Sequence, residues 1–206
     1  MEKKDKTEYT EIKPEDRRRV IISTILDWLI AIAVGVLIGI LLVVFVVHRD
    51  NVYVDSMLPN LRNGYMVMTD KVSTYFDNYE RGDIVILDGE NMEGYNHDEY
   101  LIKRIVGLPG ETIRIADGHV YIREAGATDF YMLDEPYLVE GTMTSVMSTG
   151  IQRGYDEITL GADEYYCMGD NRPVSNDSRN LGPFSSDRIK GIAFIIIYPF
   201  NEFGLI

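Results

Sequence analysis

Lys103 stands in an unusual setting for a charged side chain. It occupies the middle of YLIKRIVG, residues 100–107, where Ile102 precedes it and Arg104 follows it in an otherwise apolar segment. Consecutive residues of a β-strand point to opposite faces, so Lys103 and Arg104 cannot both face the same solvent. Burial of a lysine favours its uncharged amine and lowers its pKa by up to ~3–5 units. An inward Lys103 would therefore be a base, whereas an exposed lysine on a strand edge is the alternative.

Two further polar segments are less informative by themselves. The first, DSMLPNL at residues 55–61, contains Ser56 and is typical of a strand end followed by a turn. The second, GDNRPVSNDSR at residues 169–179, predicts a turn-rich loop held by Asx turns and by ion pairs between aspartate and arginine. All three segments follow one long apolar stretch in this order, and their combination says more than any one of them.

Charge and motif content exclude several other chemistries. The net charge of −13 argues against a nucleic-acid partner. His48, His97 and His119 have no partners at metal-ligand spacing, and the HExxH, GxSxG and P-loop motifs are absent. Cys167, the one cysteine, cannot close an intramolecular disulfide or build a thiolate zinc cluster, and we interpret it as a buried apolar residue. We expect neither a metal nor a cofactor.

The long apolar segment predicts a membrane-spanning helix. Residues 28–47 are 20 consecutive uncharged residues, and about 20 apolar residues are what a helix needs to cross ~30 Å of hydrocarbon. A cleaved signal peptide would have a shorter apolar region ending in a small-residue site, which VVHR at residues 46–49 does not offer. A buried core helix would need more surrounding protein than this chain supplies. The prediction is an uncleaved anchor over residues 20–47.

Charge on the two sides of this segment predicts its orientation. Seven lysines and arginines precede it within residues 1–19, and Arg49 alone lies close after it. Because the flank richer in Lys and Arg stays in the cytoplasm, we expect a cytoplasmic tail over residues 1–19 and an extracytoplasmic domain over residues 48–206. That domain holds 13 Lys and Arg against 26 Asp and Glu, which argues against a basic surface on anionic lipid.

The extracytoplasmic part has a mainly β pattern. Short apolar runs alternate with turn residues such as Pro109-Gly110 and Asp117-Gly118. The runs cover residues 82–87, 100–107, 111–115, 119–124, 164–169 and 192–198. Strands of this number and spacing predict a β-barrel or sandwich. Residues 88–99 and 140–155 are predicted loops.

Taken in order, these segments resemble the type I signal peptidases. These are membrane-anchored Ser/Lys peptidases of the S26 type that remove signal peptides from exported proteins. The segments that resemble the family's successive boxes are DSMLPNL, RGDIVIL, YLIKRIVGLPGE and MGDNRPVSNDSRNLG. The resemblance runs from about residue 20 to the terminus and includes LDEPYL and the closing IYPFNEFGLI. It is strongest to the short Gram-positive form with one N-terminal span. The resemblance implies a signal-peptidase-like β-barrel catalytic domain after one transmembrane helix.

The resemblance also implies a role for each site residue. Ser56 corresponds to the nucleophile, Lys103 to the general base, and Ser175 to a hydroxyl that holds the lysine amine by a hydrogen bond. The residues implied to support the architecture around the site are Asp177, Arg179, Asp170 and Arg104. The residues implied to line the small-residue subsites are Met57, Leu61 and Ile102.

Three positions depart from the family pattern. Val54 stands where relatives have Ser or Gly, and a valine cannot give a hydroxyl to the oxyanion hole. The hole would then depend on the backbone N–H of Ser56 and an adjoining donor, and one lost donor can cost ~100-fold in rate. Asn60 and Tyr65 stand where Thr and Asp are usual. A catalytically weakened, membrane-anchored relative that only binds peptides therefore stays open as an alternative.

The expected function is serine endopeptidase cleavage of signal peptides from exported preproteins at the cell membrane. Ser56 lies 9 residues beyond Val47, a reach of at most ~30 Å, so the nucleophile would stay near the bilayer. The expected partners are signal peptides and the lipid bilayer, with the protein-export machinery as a further candidate. The second alternative is a Ser/Lys peptidase with another substrate, such as a self-cleaving repressor, which would need a DNA-binding module and no membrane span.

Overall fold

The structure is a computed structural model that describes residues 14–45, 47–52, 55–92, 95 and 100–206. Its internal contacts divide the chain into two compact units, the first ending at Val44 and the second running from Phe45 to Ile206. In the described residues the first unit is helical and the second is mainly β.

The first unit contains a long helix, α1, which runs from Pro14 to Phe45. A proline fits the first turn of a helix because its missing N–H would have no intrahelical partner there. Residues Arg18–Leu41 have a mean hydropathy of 2.5, and none of that stretch is buried by protein. Because a core helix would be mostly buried, α1 has the length, composition and exposure of a membrane span. It begins before residue 20, where the predicted anchor starts.

The described part of the second unit contains twelve strands and two short helices. The strands are β1 Val47–Asn51, β2 Met66–Asp70, β3 Ile84–Leu87, β4 Leu101–Gly107, β5 Thr112–Ala116, β6 His119–Arg123, β7 Tyr131–Met132, β8 Glu157–Thr159, β9 Glu164–Met168, β10 Phe184–Ser185, β11 Ile189–Tyr198 and β12 Gly204–Leu205. The helices are α2 Ser148–Gln152 and α3 Ser178–Leu181. Short 3₁₀ helices cover Asp55–Met57, Val72–Tyr75, Ser186–Arg188 and Phe200–Glu202.

Antiparallel pairing arranges these strands in two sheets. The larger sheet has the order β1-β2-β11-β3-β4-β9-β10, with β12 paired to β11, and the smaller has the order β7-β6-β5-β8. The larger sheet curls into a half-barrel. Its end strands, β1 and β10, are not paired with each other within the described ranges. The mainly β fold class predicted from the sequence is confirmed.

Three clusters of buried apolar side chains stabilise the second unit, and β4 contributes to all of them. Ile105 belongs to the first cluster, Ile102 to the second and Val106 to the third. A strand covered on both faces reads as a nearly continuous apolar run, as β4 does. β4 is therefore a place where a charged side chain can be fully removed from water.

The two predicted loops have different outcomes. The segment 140–155 contains the short helix α2, so it is not a loop throughout. The segment 88–99 has no strand or helix among its described residues, and residues 93–94 and 96–99 lie outside them.

Candidate active site

Lys103 lies in the middle of β4 and is only 1% exposed. β4 has β3 on one side and β9 on the other, and apolar clusters cover it. Burial lowers the pKa of Lys103 to about 8, although the negative charge of Asp177 opposes the shift. The cause is that an ammonium group loses its hydration in this environment. The inward lysine that the sequence permits is the one that the structure has.

Ser56 meets this amine in space. Lys103 Nζ lies 2.8 Å from Ser56 Oγ and 3.0 Å from the carbonyl oxygen of Ile102. Ser56 is buried and belongs to the 3₁₀ helix Asp55–Met57, 47 residues before the lysine in the sequence. The serine and the lysine that the sequence analysis singled out are thus hydrogen-bonded to each other inside the protein.

The loop 169–179, here called the site loop, holds the backbone of Ser56. The N–H of Asn171 donates to the carbonyl oxygen of Ser56 over 2.9 Å, and the side-chain amide of Asn171 donates to the carbonyl oxygen of Asp55 over 2.9 Å. A Cβ at Gly169 would lie 2.4 Å from that Ser56 oxygen and 2.3 Å from Ser175 Oγ. Only a glycine therefore allows the site loop to approach Ser56 this closely.

Ser175 does not make the hydrogen bond that the resemblance implies. It is buried beside Gly169, but within the described residues its hydroxyl has no hydrogen-bond partner of ordinary geometry. Among the described residues, the Lys103 amine bonds to Ser56 Oγ and to the Ile102 carbonyl oxygen. Ser175 also lies close enough to Asp177 to favour the ionised carboxylate. The expected contact is therefore absent from the described hydrogen bonds, and the role of Ser175 beside the dyad stays a prediction.

Asp177 and Arg179 form a buried ion pair within the site loop. Arg179 Nη2 lies 2.8 Å from Asp177 Oδ2, which also accepts from the N–H of Gly169 over 3.0 Å. Burial alone would raise the pKa of Asp177, but the hydrogen bond and charge of Arg179 outweigh it and hold that pKa below its usual range. Asp177 therefore carries a negative charge that acts on Lys103.

Arg104 and Asp170 tie β4 to the site loop. The guanidinium donates to both carboxylate oxygens of Asp170 over 2.9 Å and 2.7 Å, and Asn60 donates to the same carboxylate over 2.7 Å. Asn60 also donates to the carbonyl oxygen of Tyr137 over 2.9 Å. The asparagine that departs from the family pattern thus joins the turn after Ser56 to two other segments.

The three predicted subsite residues lie in the apolar core. Met57 and Leu61 are fully buried and Ile102 nearly so, in a cluster that they share with neighbours such as Val67 and Ile86. Their position next to Ser56 and Lys103 agrees with a subsite floor, but their side chains are covered. Their role stays a prediction. Val54 lies outside the described residues, and its consequence for the oxyanion hole stays a prediction. Tyr65 is half-buried and packs against this same cluster.

The sequence analysis missed a segment that clamps the site loop. Residues 133–145, here called the strap, contain LDEPYL and lie between β7 and β8, two strands of the smaller sheet. Arg172 in the site loop is 2% exposed and pairs with Glu135 and with Thr144 Oγ1. The ring of Tyr137 lies 4.2 Å beneath the guanidinium carbon of Arg104. The LDEPYL motif marks this segment in the sequence, but the motif does not reveal that Glu135 pairs with Arg172.

This arrangement can support acyl transfer. A buried amine with a lowered pKa can accept the proton of a hydroxyl that lies within hydrogen-bond distance, which makes the serine a nucleophile. No group of three or more His, Cys, Asp or Glu side chains in the described residues is placed to hold a metal ion. A mainly β unit with a serine bonded to a buried lysine has the features of a candidate serine–lysine hydrolase.

Comparison with known proteins identifies the family. The family model described as signal peptidase, peptidase S26 matches residues 25–198, and the chain belongs to this family. Signal peptidase I S of Bacillus subtilis (strain 168) is 35% identical over 188 residues, which cover 87% of this chain and 92% of that protein. Signal peptidase I T of the same organism is 33% identical over 182 residues, which cover 87% and 89%. The family inferred from the motifs is confirmed.

A solved structure is also similar. It is the crystal structure of a signal peptidase I from Enterococcus faecalis V583, with 25% sequence identity and a TM-score of 0.41. The match covers 56% of this chain and 96% of that chain.

Proposed function

We propose that this protein is a membrane-anchored signal peptidase I that cleaves signal peptides from exported preproteins with a Ser56–Lys103 dyad. The observation that carries the proposal is the 2.8 Å hydrogen bond between Ser56 Oγ and the buried Lys103 Nζ. Membership of the signal peptidase family supplies the substrate class.

The proposed reaction has two stages. Ser56 Oγ attacks the scissile carbonyl while uncharged Lys103 takes the hydroxyl proton, and the resulting ammonium gives that proton to the leaving amine. Water then attacks the acyl-enzyme, with Lys103 again as the base, and releases the signal peptide. The lowered pKa of Lys103 supports this role, because an amine of ordinary pKa would be almost wholly protonated near neutral pH.

Asp177, Arg179, Asp170 and Arg104 are proposed as supports of the dyad rather than as reacting groups. The Arg104–Asp170 pair holds the site loop against β4, and the Asp177–Arg179 pair holds the loop itself together. Neither pair touches Ser56 Oγ in the described contacts. Met57, Leu61 and Ile102 are proposed to shape the small-residue subsites from beneath, through the core that they fill. Ser175 is proposed to assist by its proximity to Asp177.

The proposed location is the cell membrane, with α1 as the anchor. The excess of lysine and arginine before the helix supports a cytoplasmic N-terminus and an extracytoplasmic peptidase unit. A preprotein whose own apolar segment lies in the same bilayer would meet the enzyme at a raised effective concentration. The bilayer and the export machinery that delivers preproteins are the further partners of this proposal.

The test compares the full chain with its Ser56→Ala variant on a preprotein in membrane vesicles. We expect the variant to lose cleavage by at least ~1,000-fold, because the nucleophile is gone. Ser148→Ala, which changes an exposed serine at the start of α2, is the matched control and should keep full activity. Cleavage by Ser56→Ala would overturn the serine assignment. A wild-type protein that binds the preprotein without cutting it would indicate the weakened, peptide-binding relative.

A further inference from the structure

A cavity of about 320 Å³ lies beside the turn that carries Ser56. Three segments line it. The turn contributes Leu58 and Arg62, the strap contributes Val139 and Thr142, and the site loop contributes Asp170 and Asn171. The cavity is therefore formed by the same segments that hold the dyad in place.

Ser56 does not line the cavity, but residues that line it bond to Ser56 or follow it closely in the chain. Asn171, which lines it, donates its N–H to the Ser56 carbonyl oxygen over 2.9 Å and its side-chain amide to that of Asp55 over 2.9 Å. Leu58, which also lines the cavity, is two residues after Ser56. A peptide bound with its scissile carbonyl at Ser56 would thus place neighbouring residues within reach of this cavity.

The charges around the cavity leave Arg62 as its unbalanced group. The Asp170 carboxylate is fully buried. It already accepts hydrogen bonds from the Arg104 guanidinium and the Asn60 amide. Arg62 is exposed, and no ion pair involves it among the described residues. Glu140 follows the lining residue Val139 in sequence but does not itself line the cavity. The cavity therefore offers one free cation inside a strongly acidic unit.

Resting on the proposed function, we propose that this cavity is a substrate subsite in which Arg62 binds the carboxylate of an acidic preprotein residue close to the scissile bond. A guanidinium presents parallel N–H donors that match the two oxygens of a carboxylate. The apolar wall of Leu58 and Val139 can contact the methylene groups of the same side chain. Arg62 is thus the specificity-determining residue for one position of the substrate.

The strap, which contributes Val139 and Thr142 to the cavity, is anchored by contacts on both sides of Val139. Glu135 pairs with the buried Arg172, and the Tyr137 ring packs against Arg104, on the N-terminal side of Val139. Thr144 on the other side contacts Arg172 as well. A cavity whose walls are anchored in this way loses little conformational entropy when it binds a side chain.

The test is a set of peptides in which each position around the scissile bond carries Asp, Ala or Lys in turn. For the wild-type full chain we expect kcat/KM to be about five-fold higher with Asp than with Ala at one position, the gain typical of an exposed ion pair. In Arg62→Glu the preference should reverse, with Lys favoured over Asp at that same position. Lys71→Glu makes the same charge change at the far end of β2 and should keep the wild-type preference.

Binding to the Ser56→Ala variant separates this proposal from the proposed function. Labelled peptides are titrated into Ser56→Ala and into Ser56→Ala with Arg62→Glu, and Kd is measured by fluorescence anisotropy. We expect the Asp peptide to lose about five-fold or more in affinity when Arg62 is reversed. A wild-type protein that fails to cleave these peptides, while the Ser56→Ala variants keep this binding pattern, would contradict the catalytic proposal alone. Equal affinities for Asp and Lys peptides in both proteins, at every position, would overturn the subsite.

Discussion

Lys103 shows at the scale of one residue how chemistry and stability compete. The chain removes its amine from water, and this burial lowers the pKa to about 8. The same burial destabilises the folded protein near neutral pH, where an unfolded lysine would be charged and hydrated. A residue that weakens the fold in this way, in the middle of a strand that could hold an apolar side chain, points to a role other than packing.

The first prediction concerns the pH dependence of activity. Cleavage of a short peptide should decrease as the pH falls below about 8, because the protonated amine cannot accept the serine proton. The logarithm of kcat/KM should fall by about one per pH unit on this limb. Lys103→His should move the limb to lower pH, since the imidazole pKa is near 6.5. An identical profile for the two proteins would show that Lys103 is not the base.

The second prediction concerns the cost of burying Lys103. Its folded pKa of about 8 lies below the unfolded value near 10.4, so the folded state binds fewer protons between these values and its stability rises with pH across this window. The penalty is fully present below pH 8 and amounts to roughly 3 kcal/mol. The hydrogen bonds to Ser56 and Ile102 offset about 1–2 kcal/mol of it.

Lys103→Met should therefore unfold at higher urea concentration than the wild type at pH 7, by about 1–2 kcal/mol in free energy of unfolding, while losing activity. The difference should vanish or reverse above about pH 10.5, where the unfolded lysine is also uncharged. A Lys103→Met protein that is less stable than the wild type at both pH values would contradict the burial argument.

The third prediction concerns the close approach at Gly169. Gly169→Ala would place a methyl group 2.4 Å from the Ser56 carbonyl oxygen and 2.3 Å from Ser175 Oγ, so the site loop must shift. We expect about 1–3 kcal/mol lower stability and a loss of kcat of about ten-fold or more. Gly204→Ala is the matched control, because a Cβ there meets nothing within 4 Å. Normal kcat in Gly169→Ala would show that the loop can move without disturbing Ser56.

At the scale of elements, the strap contacts both β4, through Tyr137 and Arg104, and the site loop, through Glu135 and Arg172. Its Glu135 carboxylate accepts from the Arg172 guanidinium and from the Tyr137 hydroxyl, the latter over 2.7 Å. Arg172 in turn donates to the carbonyl oxygen of Gly169 over 3.1 Å, next to the dyad. The strap therefore acts on the site through the buried Arg172 and through Arg104, and it contacts neither Ser56 nor Lys103 in the described bonds.

The fourth prediction tests this clamp. Glu135→Gln removes the charge that balances Arg172, whose side chain is 1% exposed, and should lower the free energy of unfolding by about 3 kcal/mol. Glu140→Gln, an exposed carboxylate in the same strap, should change it by less than about 0.5 kcal/mol. The measurement is the free energy of unfolding of both variants in urea. Equal values for Glu135→Gln and Glu140→Gln would mean that the Glu135–Arg172 ion pair is not buried in solution.

The elements of this fold could be predicted from sequence more fully than their mutual contacts. Each predicted strand run overlaps a strand of the structure, because alternation and turn residues act locally. The neighbours of Lys103 left two orientations open, inward or exposed at a strand edge, and the structure has the inward one. The pairing of Glu135 with Arg172, 37 residues away, and the absence of a bond between Ser175 and Lys103 among the described residues depend on tertiary packing, which the spacing of residues in one sequence does not reveal. The Ser56–Lys103 contact was reached through the family resemblance and not through periodicity.

At the scale of the whole molecule, the two units have opposite requirements. The helix α1 is apolar on all sides and exposed along Val20–Leu41, so it needs lipid around it. The peptidase unit from Phe45 to Ile206 has its own buried core in three clusters. A unit with its own core can in principle fold alone. The helix is therefore expected to contribute location rather than stability to the peptidase unit.

The fifth prediction separates these contributions. A chain reduced to residues 46–206 should fold and should cleave a short soluble peptide with a kcat/KM within about two-fold of the full chain, because the dyad and its supports lie within that unit. On a preprotein inserted in vesicles the same truncation should lower the rate by about 100-fold or more, since the shared bilayer no longer concentrates enzyme and substrate. The measurement is the ratio of the two rates for the two proteins. If the truncation lowers the rate equally on both substrates, α1 supports the fold of the peptidase unit. If the truncated and full chains cleave the inserted preprotein at the same rate, the bilayer contributes nothing to substrate encounter.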